Sequence, residues 1–486
     1  MNKRSEGLGL RATGRVIAKS GKSIINWDRR LPRQMPKWSP TTTVEGNSFQ
    51  IQNTRWLFLA LCFYLISQGY TIPILPVGPT WALWPCLSDF AIALLMLTFL
   101  ISFRHTSPLP KPAKSIFLIL LLIIYGSIFS HLCYLISAPE NAPGKVWGIY
   151  QIFRLIQFVG VFFIAAKIPL TKQRISILTQ IVGIVFLFVC LGVFLTYSGI
   201  VPLSLVTAHL PLDGPWPEYA AFAGSDVGRG LGFVGYNYAY TAIQIILLLA
   251  LKLCLSDYQK HEFYNSGLVL LAVVSCFLSS SRSGLLAMLL YSIIYWLNMP
   301  KSLSKSSITL VVAVVIILLS ILLLGNHINF DSASQDSTIE RQANLFSSGN
   351  SEQLGESGRN DIWEQRVEFL NKDFIKWIVG SGFGSALDSG NFAHMLPLQI
   401  VIETGFVGLL IFIILFYKIL RYFYLHEVGI KPIFLGTVIL LFTSASQETF
   451  YPMPAFQHFL GFYLCALAIS FQKHSPHIPQ VYDRNW

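Results

Sequence analysis

The sequence predicts an all-α polytopic membrane protein with about twelve transmembrane helices. Of its 486 residues, 53% are hydrophobic and only 12% are charged, whereas a soluble domain carries roughly 25% charged residues. Apolar runs of ~20 residues recur along the chain, and a run of this length crosses the hydrocarbon core of a bilayer as a helix. A large polar loop containing an amphipathic helix completes the predicted architecture.

Residues 1–55 form a basic tail with eleven lysines and arginines and three acidic residues. This composition predicts a cytoplasmic segment held near anionic lipid headgroups. No apolar region lies in its first thirty residues, so a cleavable signal peptide is not expected. No nucleic-acid-binding motif accompanies the charge, and we expect membrane lipids rather than nucleic acid as its partner.

Twelve apolar segments are predicted to span the membrane. Nine lie in residues 56–325, where residues 199–235 form an outer loop between the fifth and the sixth. A large outer loop, residues 326–394, precedes the last three, in residues 395–472, and residues 473–486 form a short tail. The predicted spans are 56–75, 81–103, 115–137, 147–166, 175–198, 236–255, 264–281, 283–298, 307–325, 395–417, 432–447 and 455–472.

The positive charges orient these spans. With the N-terminus inside, 26 lysines and arginines fall on the cytoplasmic side, eight on the outer side, and one, Arg154, inside a span, which accounts for all 35. Cytoplasmic segments carry this excess in membrane proteins. Both termini are therefore predicted to be cytoplasmic, and both long loops are predicted to face the periplasm.

The large outer loop contains a predicted amphipathic helix from Asn360 to Ile378. Apolar residues recur there at helical spacing, among them Val367, Leu370 and Phe374. Such a helix is expected to lie on the outer leaflet or to roof a cavity. The glycines at 380, 382 and 384 follow it without the spacing of a dinucleotide-binding fingerprint, so they predict a turn that returns the loop to the bundle.

Four arginines are candidates for binding an anion. Arg282 sits in a serine-rich turn between two spans, where a charge either snorkels to the interface or lines a polar cavity. Arg229 lies among glycines that leave a ligand room to approach, although a solvated loop arginine has the same surroundings. Arg359 opens the amphipathic helix, whose N-terminus favours phosphate oxygens. Arg154 faces either the bundle interior or a lipid headgroup and is the weakest candidate.

His394 stands at the mouth of the tenth predicted span. Histidine titrates near neutrality and accepts a proton from a hydroxyl nucleophile, although a histidine at a helix start also serves as a cap or surface group. Glu403 lies nine residues later, so contact between the two side chains is not assumed. The seven cysteines lie in or beside apolar runs without a CxxC pair, so neither a disulfide framework nor a zinc site is indicated.

The order of these motifs resembles the O-antigen ligase and O-antigen polymerase superfamily of bacterial envelopes. The resemblance covers about residues 220–420, and the spacing from His394 to Gly405 matches the ligase-type signature of that family. The motifs are Ser281-Arg282-Ser283-Gly284, Gly358-Arg359 with Trp363, Gly380-Ser381-Gly382-Phe383-Gly384, and His394-Met395-Leu396-Pro397 followed by Glu403-Thr404-Gly405.

The resemblance implies a fold like that of C-type glycosyltransferases in the bacterial inner membrane. It also implies an undecaprenyl pyrophosphate-linked glycan as donor and no cofactor or metal ion. Arg229, Arg282 and Arg359 would hold the pyrophosphate, and His394 would orient or deprotonate the acceptor hydroxyl. Attack from the opposite face of the sugar would invert the anomeric configuration.

Several functions stay open at the level of sequence. The acceptor is a lipid A core sugar in a ligase, another lipid-linked repeat in a polymerase, or a protein side chain, and the His394 spacing favours the ligase. A transporter or flippase of a polyprenyl-linked or small anion is the alternative from another class. It predicts repeated halves and broken helices near the midplane, and no such repeat is seen. A structural scaffold comes third.

Overall fold

The computed structural model describes residues 54–75, 84–202, 205–206, 230–234, 238–256, 262–279, 281–297, 359–389, 393–425, 431–445, 449–452 and 458–473. Residues 1–53 of the predicted basic tail and the ninth predicted span, 307–325, lie outside these residues. So do residues 326–358 of the large loop and most of the loop at 199–235.

Thirteen α-helices form in the described part of the chain. The first eight are α1 (Arg55–Ser67), α2 (Leu87–Ser102), α3 (Lys111–Ser137), α4 (Gly144–Ala165), α5 (Lys172–Tyr197), α6 (Tyr238–Leu255), α7 (Glu262–Leu278) and α8 (Arg282–Leu297). The other five are α9 (Arg359–Asn371), α10 (Phe374–Val379), α11 (Leu396–Leu425), α12 (Lys431–Thr443) and α13 (Phe459–Lys473).

The structure is that of an all-α membrane protein. Each predicted span within the described residues coincides with a helix, and no strand forms among those residues. Five helical segments are long and apolar enough to cross a membrane: Leu87–His105, Lys111–Ser137, Gly144–Ala165, Lys172–Tyr197 and Leu396–Leu425. The number of twelve spans and their orientation stay predictions.

Two helices occupy the centre of the bundle. Nearly every described side chain of α6 and α13 is buried, as expected of a helix that is apolar on all sides. The other long helices surround them and keep one apolar face exposed, for example Leu118 of α3 and Ile413 of α11. Such exposed apolar faces suit contact with lipid tails.

Functional candidates gather at one end of the bundle. This end, called the loop end below, is formed by the described residues 138–144, 230–234, 278–279, 281, 380–389 and 393–396. Hydrogen bonds connect these segments: the Gly230 N–H donates to the Leu278 carbonyl at 2.8 Å, and the Gly144 N–H donates to Asp388 at 3.0 Å.

The predicted amphipathic helix from Asn360 to Ile378 is two helices, which corrects the sequence prediction. α9 ends at Asn371, and α10 begins after Asp373, whose carboxylate accepts a 3.0 Å hydrogen bond from the Ile375 N–H. A carboxylate that caps a new helix start competes with continuation of the first helix.

The predicted apolar face of this segment is not the buried one. Leu370 is fully buried, but Val367, Phe374 and Ile378 are exposed. Arg366 is 4% exposed and lies on the buried face with Leu370, one helical turn away. The residues that turn inward therefore include a cation that the hydrophobic pattern did not identify.

Candidate active site

Arg282 is the first residue of α8. The preceding residue, Ser281, accepts a 3.0 Å hydrogen bond from the Gly284 N–H, which is the geometry of a helix N-cap. A Cβ on Gly284 would lie 2.3 Å from the Ala242 Cβ, so the glycine allows α8 to approach α6 closely. Arg282 itself is half-buried, at a helix N-terminus whose dipole favours an anion.

The segment after Arg229 packs against the same turn. Arg229 lies outside the described residues, but the N–H of the next residue, Gly230, is bonded to Leu278 at the end of α7. A Cβ on Gly230 would lie 2.5 Å from the Val193 Cγ1 and 2.8 Å from the Leu278 carbonyl oxygen. Close backbone approach therefore explains a glycine there and brings this segment of chain to the turn before Arg282.

His394 has a left-handed backbone, with φ 50°. This region is uncommon for residues other than glycine, and it persists where the surroundings hold the chain. The Ala393 N–H donates to the Gln399 side chain at 2.9 Å, and the Ala393 carbonyl accepts from the Trp363 indole at 2.8 Å. Both backbone polar groups of the preceding residue are thus fixed, and His394 is half-buried beside them.

Arg282 and His394 lie around the same end of α12. The helices α8 and α12 pack side by side, and the Tyr291 hydroxyl donates to the Pro432 carbonyl at 3.2 Å. From this contact towards the loop end, α8 extends nine residues to its first residue, Arg282. Over the same distance α12 extends to its last turn. Two residues after His394, a backbone N–H donates to the Ser444 carbonyl at 2.9 Å, directly after α12.

Arg359 begins α9, and its side chain lies outside the described part of the structure. The assignment of Arg229, Arg282, Arg359 and His394 to one substrate site stays a prediction. The structure places Arg282 and His394 at the loop end. The backbone of α9 lies at the same end, because Trp363 of this helix is hydrogen-bonded to the residue before His394.

A kink in α11 organises the loop end. Gly405 has φ 69° and ψ −174° inside this helix, which interrupts the regular i to i−4 hydrogen bonds. The carbonyl groups of Ile402 and Glu403 accept instead from the backbone N–H groups of Ser381 and Gly382, at 2.7 and 3.2 Å. The kink therefore creates the acceptors to which the glycine turn binds.

The glycine turn is the return to the bundle that the sequence predicts. Gly382 has φ 111°, and a Cβ there would lie 2.0 Å from the Tyr134 Cβ. Gly384 has φ 94°, and a Cβ there would lie 2.5 Å from the Gly144 carbonyl oxygen. The His131 ring nitrogen Nδ1 lies 2.7 Å from the Phe383 carbonyl oxygen. Glycine is required because the turn enters the groove between α3 and α4.

Glu403 is a buried acidic residue at the loop end, and its partners were not predicted from the sequence. Its side chain is fully buried, and its carboxylate accepts hydrogen bonds from the Gln399 amide at 3.0 Å and from the Tyr451 hydroxyl. The backbone N–H groups of Gly384 and Ala386 also donate to it. A carboxylate inside an apolar span is a functional candidate by default, and this was the available signal.

Arg366 of α9 lies within electrostatic range of Glu403. Burial lowers the pKa of the Arg366 guanidinium, and the Glu403 carboxylate acts in the opposite direction. The attraction between a buried guanidinium and a buried carboxylate is stronger than between exposed groups, since water screens it less. α9 packs against α11 through Leu370, which shares a buried cluster with Val401 and Ile402, and the buried Arg366 lies on the same face of α9.

Arg154 faces the bundle interior. It donates to both carboxylate oxygens of Asp89, and the bond to Oδ2 is 3.2 Å long. It also donates to the Gln157 side chain at 3.0 Å. Ligand atoms of Cys86, Asp89 and His458 lie within 4.8 Å of one another. Because the guanidinium already engages both oxygens that a metal ion would use, we interpret this cluster as a buried ion pair.

The fold and these contacts define a polytopic α-helical membrane protein with an arginine and a histidine around one end of its bundle. Residues 267–413 match a family model described as O-Antigen ligase. This match confirms the resemblance to the O-antigen ligase and polymerase superfamily, a glycosyltransferase-like class that uses lipid-linked glycans and acceptors. No curated protein and no solved structure gave a match.

Proposed function

We propose that this protein is an inverting, metal-independent glycosyltransferase of the O-antigen ligase type. It transfers a glycan from undecaprenyl pyrophosphate to an acceptor hydroxyl of lipid A core, or of a similar acceptor, on the periplasmic side of the bacterial inner membrane. The observation that carries the proposal is the position of Arg282 and His394 around one end of α12. Both residues belong to the segment that matches the ligase family.

In the proposed reaction the acceptor oxygen forms a bond to the anomeric carbon as the bond from that carbon to the pyrophosphate oxygen breaks. His394 takes the hydroxyl proton as general base. The electron pair of the broken bond leaves with the pyrophosphate, whose increased negative charge is stabilised by Arg282 together with Arg229 and Arg359. Arginine suits this role because its planar guanidinium donates two parallel hydrogen bonds to phosphate oxygens.

The left-handed backbone at His394 determines the best test variant. His394→Ala would remove the imidazole and also replace a residue type that is enriched in the left-handed region by one that is not, whereas asparagine shares this preference. His394→Asn therefore removes the base and largely preserves the turn. We expect it to lower the turnover number by about 10²–10⁴-fold, with little change in the KM for donor, as for other general bases.

The assay uses purified protein in nanodiscs with an undecaprenyl pyrophosphate glycan and three separate acceptors: lipid A core, a second lipid-linked repeat, and a peptide. His105→Asn, in the segment after α2, is the matched histidine control and should retain wild-type turnover. Arg282→Ala should lower turnover by about 10²–10³-fold, as removal of an oxyanion-stabilising donor does.

The acceptor consumed separates ligase from polymerase and from protein glycosylation. Full turnover of His394→Asn would contradict the assigned base. A wild-type protein that forms no glycosidic product with any acceptor, but moves the donor lipid between leaflets, would instead support the flippase alternative.

A further inference from the structure

Glu403 is surrounded by donors on every described side. Gln399, Tyr451 and the backbone N–H groups of Gly384 and Ala386 all donate to its carboxylate. A carboxylate is an acceptor with two oxygens and about four lone-pair sites, so this environment uses its full capacity. In a Glu403→Gln variant, the NH₂ group of the new side chain would face other hydrogen-bond donors and could not accept from them.

One chain of hydrogen bonds leads from Glu403 to the backbone beside His394. The Gln399 amide nitrogen donates to Glu403 at 3.0 Å, and its amide oxygen accepts from the Ala393 N–H at 2.9 Å. The first of these bonds fixes which way the Gln399 amide points, because its nitrogen must face the carboxylate. The orientation of Gln399 then presents its oxygen to the residue that precedes the left-handed His394.

A second connection leads from Glu403 to α9. Arg366 is buried on the face of α9 that turns towards α11 and interacts electrostatically with Glu403. Trp363 on the same helix donates to the Ala393 carbonyl at 2.8 Å. Position 359 lies seven residues, or two helical turns, before Arg366 and so belongs to the same face of the helix. Arg366 and position 359 therefore belong to the face of α9 that packs against α11 through Leu370.

We propose that Glu403 is a positioning residue, which aligns the backbone of His394 through Gln399 and the rotation of α9 through Arg366. The inference rests on the proposed transferase function. Glu403 is enclosed and does not touch substrate; it acts through the residues that it holds. One buried carboxylate thus positions groups from two separate segments of the loop end.

The first test is Glu403→Gln, with Glu368→Gln as the matched control, because Glu368 lies on α9 and is exposed. We expect Glu403→Gln to lower the turnover number by about 10- to 100-fold, the cost of small misplacements of catalytic groups, with little change in donor KM. Hydrogen–deuterium exchange should become faster at residues 393–396 and in α9. Glu368→Gln should change neither readout.

A second variant isolates the connection to His394. Gln399→Met keeps the carboxylate and removes the bridge to Ala393, so the increase in exchange rate should be larger at residues 393–396 than in α9. In a double-mutant cycle the effects of Glu403→Gln and Gln399→Met on turnover should be less than additive, because both break one chain of contacts. Gln399→Met also supplies the test should Glu403→Gln not fold.

Additive effects in this cycle, or lost turnover without faster exchange at residues 393–396, would overturn the positioning role. Wild-type turnover and wild-type exchange rates in Glu403→Gln would also overturn the positioning role. If wild-type protein shows no transfer at all, the proposed function fails by itself, while the exchange measurements still decide whether Glu403 orders the two segments.

Discussion

Gly405→Ala, at the kink of α11, should destabilise the loop end. The native φ of 69° and ψ of −174° lie in a region that is essentially restricted to glycine, and holding another residue there costs about 1–3 kcal/mol. An added Cβ would also lie 2.1 Å from the Ile378 carbonyl oxygen and 2.5 Å from the Val379 nitrogen. Both contacts are backbone atoms, so overpacking adds about 1–3 kcal/mol, for a total of about 2–6 kcal/mol.

The assay is thermal unfolding in nanodiscs, together with hydrogen–deuterium exchange at Ser381 and Gly382. These amides donate to the carbonyl groups at the kink, so they should exchange faster whether the helix straightens or α10 moves away. Gly126→Ala in α3 is the matched control: nothing lies within 4 Å of its added Cβ, and alanine is favoured over glycine in a helix by about 0.5–1 kcal/mol. Equal melting temperatures for the two variants would refute the reasoning.

Two further predictions concern the packing around the site. Arg154→Met leaves the Asp89 carboxylate buried beside His458 without its guanidinium. The variant should therefore lower the free energy of unfolding by about 3–5 kcal/mol, measured by thermal unfolding. A variant as stable as wild type would show that the pair contributes no net stability. Gly384→Ala places a Cβ 2.5 Å from the Gly144 carbonyl oxygen at φ 94° and should lower the melting temperature and speed exchange in residues 381–386. Gly267→Ala, which has open space around its Cβ, is its control, and similar behaviour of the two would contradict the close packing of the glycine turn.

Hydrophobic runs were enough to predict where the helices form. The third predicted span, 115–137, becomes Lys111–Ser137, and the eighth, 283–298, becomes Arg282–Leu297. Long apolar segments in a membrane have few alternatives to a helix, because every backbone polar group must be bonded within the segment. Boundaries moved by up to eight residues, as at the ends of α1 (Ser67) and α11 (Leu425). Caps such as Ser281 decide where the first turn of a helix begins.

The polar loop was harder to predict because several of its contacts are distant in sequence. A periodic pattern from Asn360 to Ile378 indicated one helix, but the Asp373 carboxylate starts a second one. The buried Arg366 is under the electrostatic influence of Glu403, a residue 37 positions later in the chain. Tyr451 reaches the same carboxylate from 48 residues away. No local periodicity encodes such partners.

The spacing from His394 to Gly405 acquires a physical meaning in the structure. Gly405 breaks α11 so that Glu403, just before the break, offers its carbonyl group to the glycine turn and its carboxylate to Gln399. Gln399 lies one helical turn before Glu403, and its side chain accepts a hydrogen bond from the N–H of Ala393. Ala393 directly precedes His394. The interval is thus the length of helix needed to connect a kink to a strained backbone at the helix entrance. Changing this interval by one residue would rotate the two ends by about 100° relative to each other, which separates the histidine from the carboxylate that holds its neighbour.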